Sequence, residues 1–192
     1  MTAPPLRPYQ AEALARLAHR QLTVLPTGTG KTRLLAEIAI ACKGACTILV
    51  HREELIEQTE RAIRALQPNA RIGVVQGKRH EWRDITIAMQ QTLRKLTRAS
   101  NPSCDTLLVD EAHRYTTKTS GHELLDSFPS ATIYGFTATP QINSQPIYGP
   151  GRPFTGISYR RSPVAMIREG YLCDVRALAV EWGDLDLSRV AQ

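Results

Sequence analysis

The chain has 192 residues, of which 42% are hydrophobic and 22% are charged, and its formal net charge is +6 at pH 7. This length and composition predict a single globular domain over residues 1–192 and exclude a disordered or fibrous chain. No apolar run is long enough to span a membrane and residues 1–5 do not resemble a signal peptide, so we expect a soluble, cytoplasmic protein with no membrane partner. A net charge of this size is compatible with a nucleic-acid partner and is equally typical of an ordinary soluble surface.

Apolar runs alternate with stretches of helical periodicity along most of the chain. Strands are predicted at residues 21–25, 46–50, 71–75, 84–88, 105–109, 131–136 and 173–180. Helices are predicted at residues 11–17, 33–41, 91–99, 122–128 and 164–169, with one more that ends near residue 66. Residues 78–83 form a basic connection, and residues 141–156 form a loop rich in Pro, Gly, Ser and Asn. This alternation predicts an α/β fold with a mostly parallel sheet and helices on both faces.

A glycine-bearing turn separates the first predicted strand from the helix at residues 33–41. It reads Leu-Pro-Thr-Gly-Thr-Gly-Lys-Thr over residues 25–32. Gly28 and Gly30 allow backbone angles at which successive N–H groups point inward onto phosphate oxygens. We expect Lys31 to reach the β- and γ-phosphates and the Thr32 hydroxyl to ligate Mg²⁺. The general pattern G-x-x-x-x-G-K-[ST] is met except at its first glycine, where this chain has Leu25.

Two carboxylates, Asp110 and Glu111, directly follow the predicted strand at residues 105–109. In an open parallel sheet, ligands bind at the carboxyl ends of the strands, where the glycine-bearing turn must also lie. We therefore predict that Asp110 holds Mg²⁺ and that Glu111 orients and deprotonates the attacking water. The alternative is a solvated acidic loop. The four cysteines include no C-x-x-C pair, so reduced thiols are expected rather than a zinc site.

Three motifs occur in a characteristic order: P-T-G-T-G-K-T at residues 26–32, D-E-A-H at residues 110–113 and T-A-T-P at residues 137–140. They resemble motifs I, II and III of superfamily-two helicases, and the resemblance covers essentially the whole chain. It implies a RecA-like P-loop NTPase domain, the first of two such lobes, that hydrolyses ATP with Mg²⁺ to move on or remodel nucleic acid.

The resemblance also implies roles for individual residues. The start of the chain resembles the segment that reads adenine, and residues 50–55 and 91–92 resemble motifs that contact a nucleic-acid strand. Nucleotide binding is thereby assigned to Arg7, Gln10, Thr27, Gly28, Thr29, Gly30, Lys31 and Thr32, and strand contact to His51, Arg52, Gln91 and Thr92. Coupling of nucleotide state to strand binding and to the second lobe is assigned to His113, Thr137 and Thr139.

The end of the chain narrows the resemblance. Tyr159 and residues 167–172 resemble the restriction-subunit-like DNA helicases and, within them, the RadD-like DNA repair proteins. Single-stranded or branched DNA is the implied partner. Such motors take arginine fingers from a second lobe, and the 192 residues contain no Q-x-x-G-R-x-x-R-like run. We therefore expect one lobe of a two-lobed motor, with weak nucleotide binding and very slow hydrolysis in isolation.

Two other functions remain possible from the residues. One is the lobe of an ATP-dependent RNA helicase, against which the short distance in sequence between residues 6–10 and the phosphate loop argues. The other is a nucleotide- or nucleic-acid-binding module that does not hydrolyse ATP. The presence of Lys31, Asp110 and Glu111 argues against this second alternative.

Overall fold

The computed structural model describes residues 4–99, 104–115 and 121–174. Within them, helices and strands alternate for most of the chain. The helices are α1 (Pro8–Ala15), α2 (Lys31–Ala41), α3 (Glu53–Leu66), α4 (Gln90–Ala99), α5 (Gly121–Asp126), α6 (Pro163–Arg168) and a short 3₁₀ helix (Ala112–Tyr115). The strands are β1 (Gln21–Val24), β2 (Cys46–Val50), β3 (Ile72–Gln76), β4 (Arg79–His80), β5 (Ile85–Met89), β6 (Thr106–Val109), β7 (Thr132–Thr137), β8 (Gln141–Ile142), β9 (Gln145–Pro146) and β10 (Gly156–Arg160).

Eight strands form one sheet in the order β10-β1-β7-β6-β2-β5-β3-β4. All neighbours in it are parallel except β3 and β4, which form an antiparallel hairpin at one edge. Strands β8 and β9 pair separately as a small hairpin. Among the described residues, none of the helices combines the length and the apolar character that crossing a bilayer requires.

Hydrophobic side chains cover both faces of the sheet. In β2, Cys46, Ile48 and Val50 pack with buried residues of α1, α2, α3 and α6, whereas Leu49 packs on the other side with residues of α4 and α5. The two-residue period of a strand explains this division, because successive side chains point to opposite faces. The predicted α/β fold, with a mostly parallel sheet and helices on both faces, is confirmed.

The order of the strands sets the order of the loops at their carboxyl ends. The phosphate loop follows β1, Thr137 ends β7, Asp110 follows β6, His51 follows β2, and Gln90 follows β5. The residues assigned to nucleotide therefore lie along one half of this edge, and those assigned to the nucleic-acid strand lie along the other. Asp110 and Glu111 lie between the two halves.

Several predicted elements differ from the structure. The basic connection at residues 78–83 contains β4, and the predicted loop at residues 141–156 contains β8 and β9. Strand β10 was missed, because its apolar and polar residues alternate only over residues 157–160 and the run follows directly on the predicted loop. It lies at the edge of the sheet and buries only Tyr159. Residues 173 and 174 form no strand, and the remainder of the strand predicted at residues 173–180 lies outside the described residues.

Gly135 in β7 is expected to tolerate no side chain. A Cβ atom there would lie 2.5 Å from Phe154 Cε1 and 2.7 Å from Leu22 Cδ2, and both side chains are fully buried. We expect Gly135→Ala to lower the free energy of unfolding by about 1–3 kcal/mol, because a packed core cannot absorb an extra methyl group without shifting. Urea unfolding measures the change.

The matched control is Gly156→Ala in β10, where an added Cβ would meet no atom within 4 Å. It should leave the free energy of unfolding within about 0.5 kcal/mol of that of the parent. Adding Phe154→Leu should recover part of the loss caused by Gly135→Ala. Equal effects of the two glycine substitutions would contradict the packing argument.

Candidate active site

The phosphate loop connects β1 to α2 and is shaped by two glycines. Gly28 and Gly30 have φ angles of +83° and +80°, in the left-handed region that L side chains rarely adopt. A Cβ on Gly30 would also lie 2.8 Å from Gln10 Nε2. The backbone therefore curls tightly at the N-terminus of α2, where N–H groups without helical partners and the helix dipole favour an anion.

Lys31 is the first residue of α2, and its side chain is folded into the loop. Only 9% of Lys31 is exposed, and its ammonium donates hydrogen bonds to the carbonyl oxygens of Leu25 (3.2 Å) and Pro26 (3.3 Å). Burial lowers the pKa of Lys31, while the negative charges of Glu111 and Asp110 act in the opposite direction. The predicted phosphate-binding ammonium and the two predicted catalytic carboxylates thus interact electrostatically.

Helix α1 rests on the same loop. Tyr9 Oη donates a hydrogen bond to the Thr29 carbonyl oxygen (2.7 Å), and Gln10 Nε2 donates to the same oxygen (3.2 Å). Gln10 Oε1 accepts a hydrogen bond from the Arg7 backbone N–H (3.0 Å), and the side chain of Arg7 is exposed. Residues 7–10 are therefore fixed directly against the turn that precedes Lys31. Tyr9 is a contact that the sequence reasoning did not predict.

Thr29 and Thr32 of the phosphate loop differ in burial and in hydrogen-bond partners. Thr29 is fully buried, with its hydroxyl donating to the Pro26 carbonyl oxygen (2.7 Å). Thr32, the predicted metal ligand, is half-buried, and its hydroxyl accepts a long hydrogen bond from Gln58 Nε2 of α3 (3.4 Å). Gln58 was not singled out from the sequence.

Asp110 and Glu111 form an adjacent carboxylate pair after β6. Asp110 is 7% exposed, and burial together with the neighbouring Glu111 raises its pKa to about 6. Its Oδ1 accepts a hydrogen bond from the Glu111 backbone N–H (2.9 Å), which partly offsets that rise. Glu111 has a φ of +48°, an uncommon conformation for a residue with a side chain. This turn places its carboxylate beside His113.

His113, Thr137 and Thr139 form one hydrogen-bond network. The buried Thr137 hydroxyl donates to the Thr139 carbonyl oxygen (3.1 Å) and accepts from the Thr139 N–H (3.0 Å). The Thr137 hydroxyl also forms a 3.0 Å hydrogen bond with His113 Nδ1, in which the donor depends on the tautomer of the imidazole. The same nitrogen lies 3.3 Å from Glu111 Oε2; burial lowers the pKa of His113, and the charge of Glu111 acts in the opposite direction. The D-E-A-H and T-A-T-P motifs are joined through this histidine.

A cavity of about 370 Å³ opens at the carboxyl ends of the β-strands. It lies between the residues assigned to nucleotide and those assigned to the nucleic-acid strand. It is lined by six of the predicted site residues together with Leu55, Arg114 and Ala138; the six are Thr27, His51, Arg52, Glu111, His113 and Thr139. Burial and then the charge of Arg114 lower the pKa of His51, whose Nδ1 is buried without a hydrogen-bond partner among the described residues. Arg114 was missed, although its position directly after D-E-A-H was a usable signal.

The residues assigned to the nucleic-acid strand are not equivalent. Arg52 precedes α3 and Gln91 lies in the first turn of α4, and both are exposed. Thr92 is 9% exposed, and its hydroxyl accepts a hydrogen bond from the Gly77 N–H (2.9 Å) in the β3–β4 turn. Thr92 therefore holds the turn of this hairpin. Its predicted contact with a nucleic-acid strand stays a prediction.

Comparison with known proteins places these features in a family. Residues 3–142 match the family model described as "Type III restriction enzyme, res subunit". The chain belongs to this family. The resemblance to superfamily-two helicases, and within them to the restriction-subunit-like branch, is confirmed, whereas the narrower resemblance to RadD-like proteins stays a prediction.

Two curated relatives of this chain illustrate the similarity. IRC3 of Saccharomyces cerevisiae, assigned by its name to the ATP-dependent helicases, is 28% identical over 98% of the chain and 31% of its own length. The protein named DNA 3′-5′ translocase XPB2, from Sulfurisphaera tokodaii, is 31% identical over 71% of the chain and 31% of its own length. The chain spans about a third of the length of these relatives.

Solved structures share the fold. The Hef helicase domain of Pyrococcus furiosus has a TM-score of 0.68 at 22% identity, over 89% of this chain and 41% of that one. The type ISP restriction-modification enzyme LlaGI, in complex with a DNA substrate mimic, has a TM-score of 0.68 at 18% identity, over 88% of this chain and 18% of that one. The RecA-like fold is thereby confirmed.

Proposed function

We propose that this chain is the ATP-binding motor domain of an ATP-dependent DNA helicase or translocase, and that it acts with a second RecA-like lobe. The observation that carries the proposal is the convergence of Lys31, Asp110 and Glu111 at the carboxyl edge of the sheet, where both carboxylates act on the pKa of the buried ammonium. The relatives named as a helicase and a DNA translocase support the same reading.

The residues present fit Mg²⁺. Asp110 and Glu111 are adjacent carboxylates that both interact electrostatically with the buried Lys31 ammonium. Burial and then the charge of Glu111 raise the pKa of Asp110, and Lys31 offsets only part of this rise. Among the described residues, no group of three or more His, Cys, Asp or Glu side chains forms a ready-made metal site. Mg²⁺ commonly takes one or two carboxylates and completes its shell with waters and phosphate oxygens. Asp110 and the Thr32 hydroxyl are the ligands this chain would offer.

The reaction is the hydrolysis of ATP to ADP and phosphate. Mg²⁺, when bound, neutralises charge on the β- and γ-phosphates. The N–H groups of residues 28–31 and the Lys31 ammonium hold the phosphates in place. Glu111 orients a water molecule and takes its proton as the oxygen attacks the γ-phosphorus, while the bond to the β–γ bridging oxygen breaks.

The network around His113 supplies a route from this chemistry to nucleic acid. His113 contacts Glu111 on one side and Thr137 on the other, and the cavity beside it is shared with His51 and Arg52. A shift of Glu111 during turnover would therefore change the surroundings of the two residues assigned to the strand. Arg52 and Gln91 would contact backbone phosphates, which carry affinity without sequence preference.

The experiment compares binding and turnover of Mg-ATP by this chain, with and without single-stranded DNA or RNA of the same sequence. We expect measurable Mg-ATP binding, very slow turnover and loss of binding in Lys31→Ala. Lys43→Ala, which removes an exposed ammonium just beyond the other end of α2, is the matched control and should change nothing.

Each contrary result has its own meaning. Wild-type protein that binds no nucleotide would overturn the proposal in favour of a module that does not hydrolyse ATP. Brisk DNA-stimulated turnover by the chain alone would contradict the need for a second lobe. In a longer protein that contains both lobes, stronger stimulation by RNA than by DNA would favour the RNA helicase alternative.

A further inference from the structure

The segment that follows α6 returns to the nucleotide side of the domain. Tyr171 and Leu172 both donate backbone hydrogen bonds to the carbonyl oxygen of Met166 (2.9 and 3.2 Å), and Met166 is fully buried. Gly170 provides the left-handed turn between them and the helix, with a φ of +74°. The end of α6 therefore anchors Tyr171 and Leu172 in a defined position.

The ring of Tyr171 contacts two residues at the start of α1. It lies edge-on against Tyr9, with the ring centroids 4.7 Å apart, and the Arg7 guanidinium carbon lies 5.6 Å from its centroid. Arg7 Nη1 also donates to Tyr9 Oη (3.3 Å), which itself donates to the Thr29 carbonyl oxygen. Tyr171 thus packs against an arginine whose side chain is exposed.

Leu172 extends the same segment onto the phosphate loop. A Cβ built on Gly28 would lie 3.6 Å from Leu172 Cδ2, which is ordinary van der Waals contact. One short turn therefore covers both the loop that is proposed to hold phosphates and the residues that are proposed to read the base. These contacts join residues 7–10 and 28 to a part of the chain more than 140 positions away.

We propose that Tyr171 is a positioning residue for base selectivity, which holds Arg7 beside Gln10 so that the pair can discriminate adenine from other bases. This inference rests on the proposed binding of ATP. The ring faces a planar guanidinium, a geometry that restricts the rotamers of an otherwise mobile side chain. Because the ring of Tyr171 packs against Tyr9 and Arg7 at the start of α1, its removal should weaken recognition of the base and spare recognition of the phosphates.

The test measures the affinities of Mg-ATP, Mg-GTP and tripolyphosphate for the wild-type chain and for Tyr171→Ala, Tyr171→Leu and Tyr171→Phe. We expect Tyr171→Ala to weaken ATP binding about three- to tenfold and to change tripolyphosphate binding less than about twofold. Tyr171→Leu keeps apolar volume if the alanine variant folds poorly, and it should show the same base-selective loss. Tyr171→Phe keeps the ring and should restore ATP affinity.

Two controls identify the route of the effect. Val164→Ala truncates a side chain that is 56% exposed on α6 and should leave all three affinities unchanged. In an Arg7→Ala background, Tyr171→Ala should lower the affinity for ATP little further, because the arginine that Tyr171 positions is already absent.

Equal loss of ATP, GTP and tripolyphosphate binding, or failure of Tyr171→Phe to restore ATP binding, would overturn the inference. So would an unchanged ratio of ATP to GTP affinity in Tyr171→Ala. Wild-type protein without Lys31-dependent ATP binding would instead overturn the proposed function, so the two failures are distinguishable.

Discussion

Replacement of Glu111 by glutamine is expected to lower ATP turnover by about 10²–10⁴-fold and to leave Mg-ATP affinity within about twofold of the parent. Glutamine preserves the size of the side chain and can keep a polar contact with His113 Nδ1, which lies 3.3 Å from Glu111 Oε2. It cannot accept the proton of an attacking water. The variant therefore separates proton transfer from ground-state binding.

The measurement is the release of labelled phosphate over long incubations, beside nucleotide binding by competition. Glu57→Gln is the matched control, because Glu57 is an exposed carboxylate on α3. It should retain full turnover. If turnover in Glu111→Gln fell less than tenfold, Glu111 would not be the base. If affinity fell in parallel with turnover, Glu111 would act in binding.

Asp110→Asn is expected to abolish Mg²⁺-dependent turnover and, at the same time, to stabilise the nucleotide-free domain at neutral pH. Burial and Glu111 raise the pKa of Asp110 from 3.8 to about 6, so ionising this carboxylate costs the folded state free energy that the unfolded state does not lose. Asparagine keeps an oxygen that can accept the Glu111 N–H and removes the charge. We expect a gain of about 1–3 kcal/mol in the free energy of unfolding at pH 7.5.

The sign of the pH dependence follows from the direction of the shift. A carboxyl whose pKa is higher in the folded state binds protons more tightly there, so the stability of the wild type falls as pH rises from about 4 to about 6. The stability advantage of Asp110→Asn should therefore be largest above pH 6 and vanish near pH 4. Urea unfolding in EDTA across this range measures it, with the exposed Asp84→Asn as control. A gap that is independent of pH would contradict the argument.

Local patterns in the sequence predicted the loop and the carboxylates to which ATP binding and hydrolysis are assigned. A strand, a turn with two glycines and a helix that opens with Lys31 together predict a phosphate-binding loop, because each feature restricts the backbone independently. Asp110 was placed beside it by the rule that parallel strands present their carboxyl ends at one edge. The roles proposed for Arg7 and Gln10 came from family resemblance, and neither composition nor spacing could have supplied them.

Contacts between distant residues could not be predicted. Thr92 was expected to contact a nucleic-acid strand, and its hydroxyl accepts a hydrogen bond from the Gly77 N–H. The sequence around residues 91–92 contains no signal for this distant partner. Tyr171 meets Tyr9 only because the turn after α6 packs against the start of α1. Strand β10 lacks buried alternation, and its pairing with β1 depends on the edge position that the whole sheet provides.

The pairing of β1 also bears on how the domain folds. Gln21 is paired with Tyr134 on one side and with Gly156 on the other, so the strand that carries the phosphate loop has both partners far along the chain. Such non-local pairing forms slowly, because the entropy cost of closing a long loop comes before the stabilising contacts can form. During synthesis, the phosphate-loop strand must wait for most of the domain to emerge from the ribosome. A nascent chain that ends before β7 would carry the complete loop sequence without the sheet that gives the loop its shape.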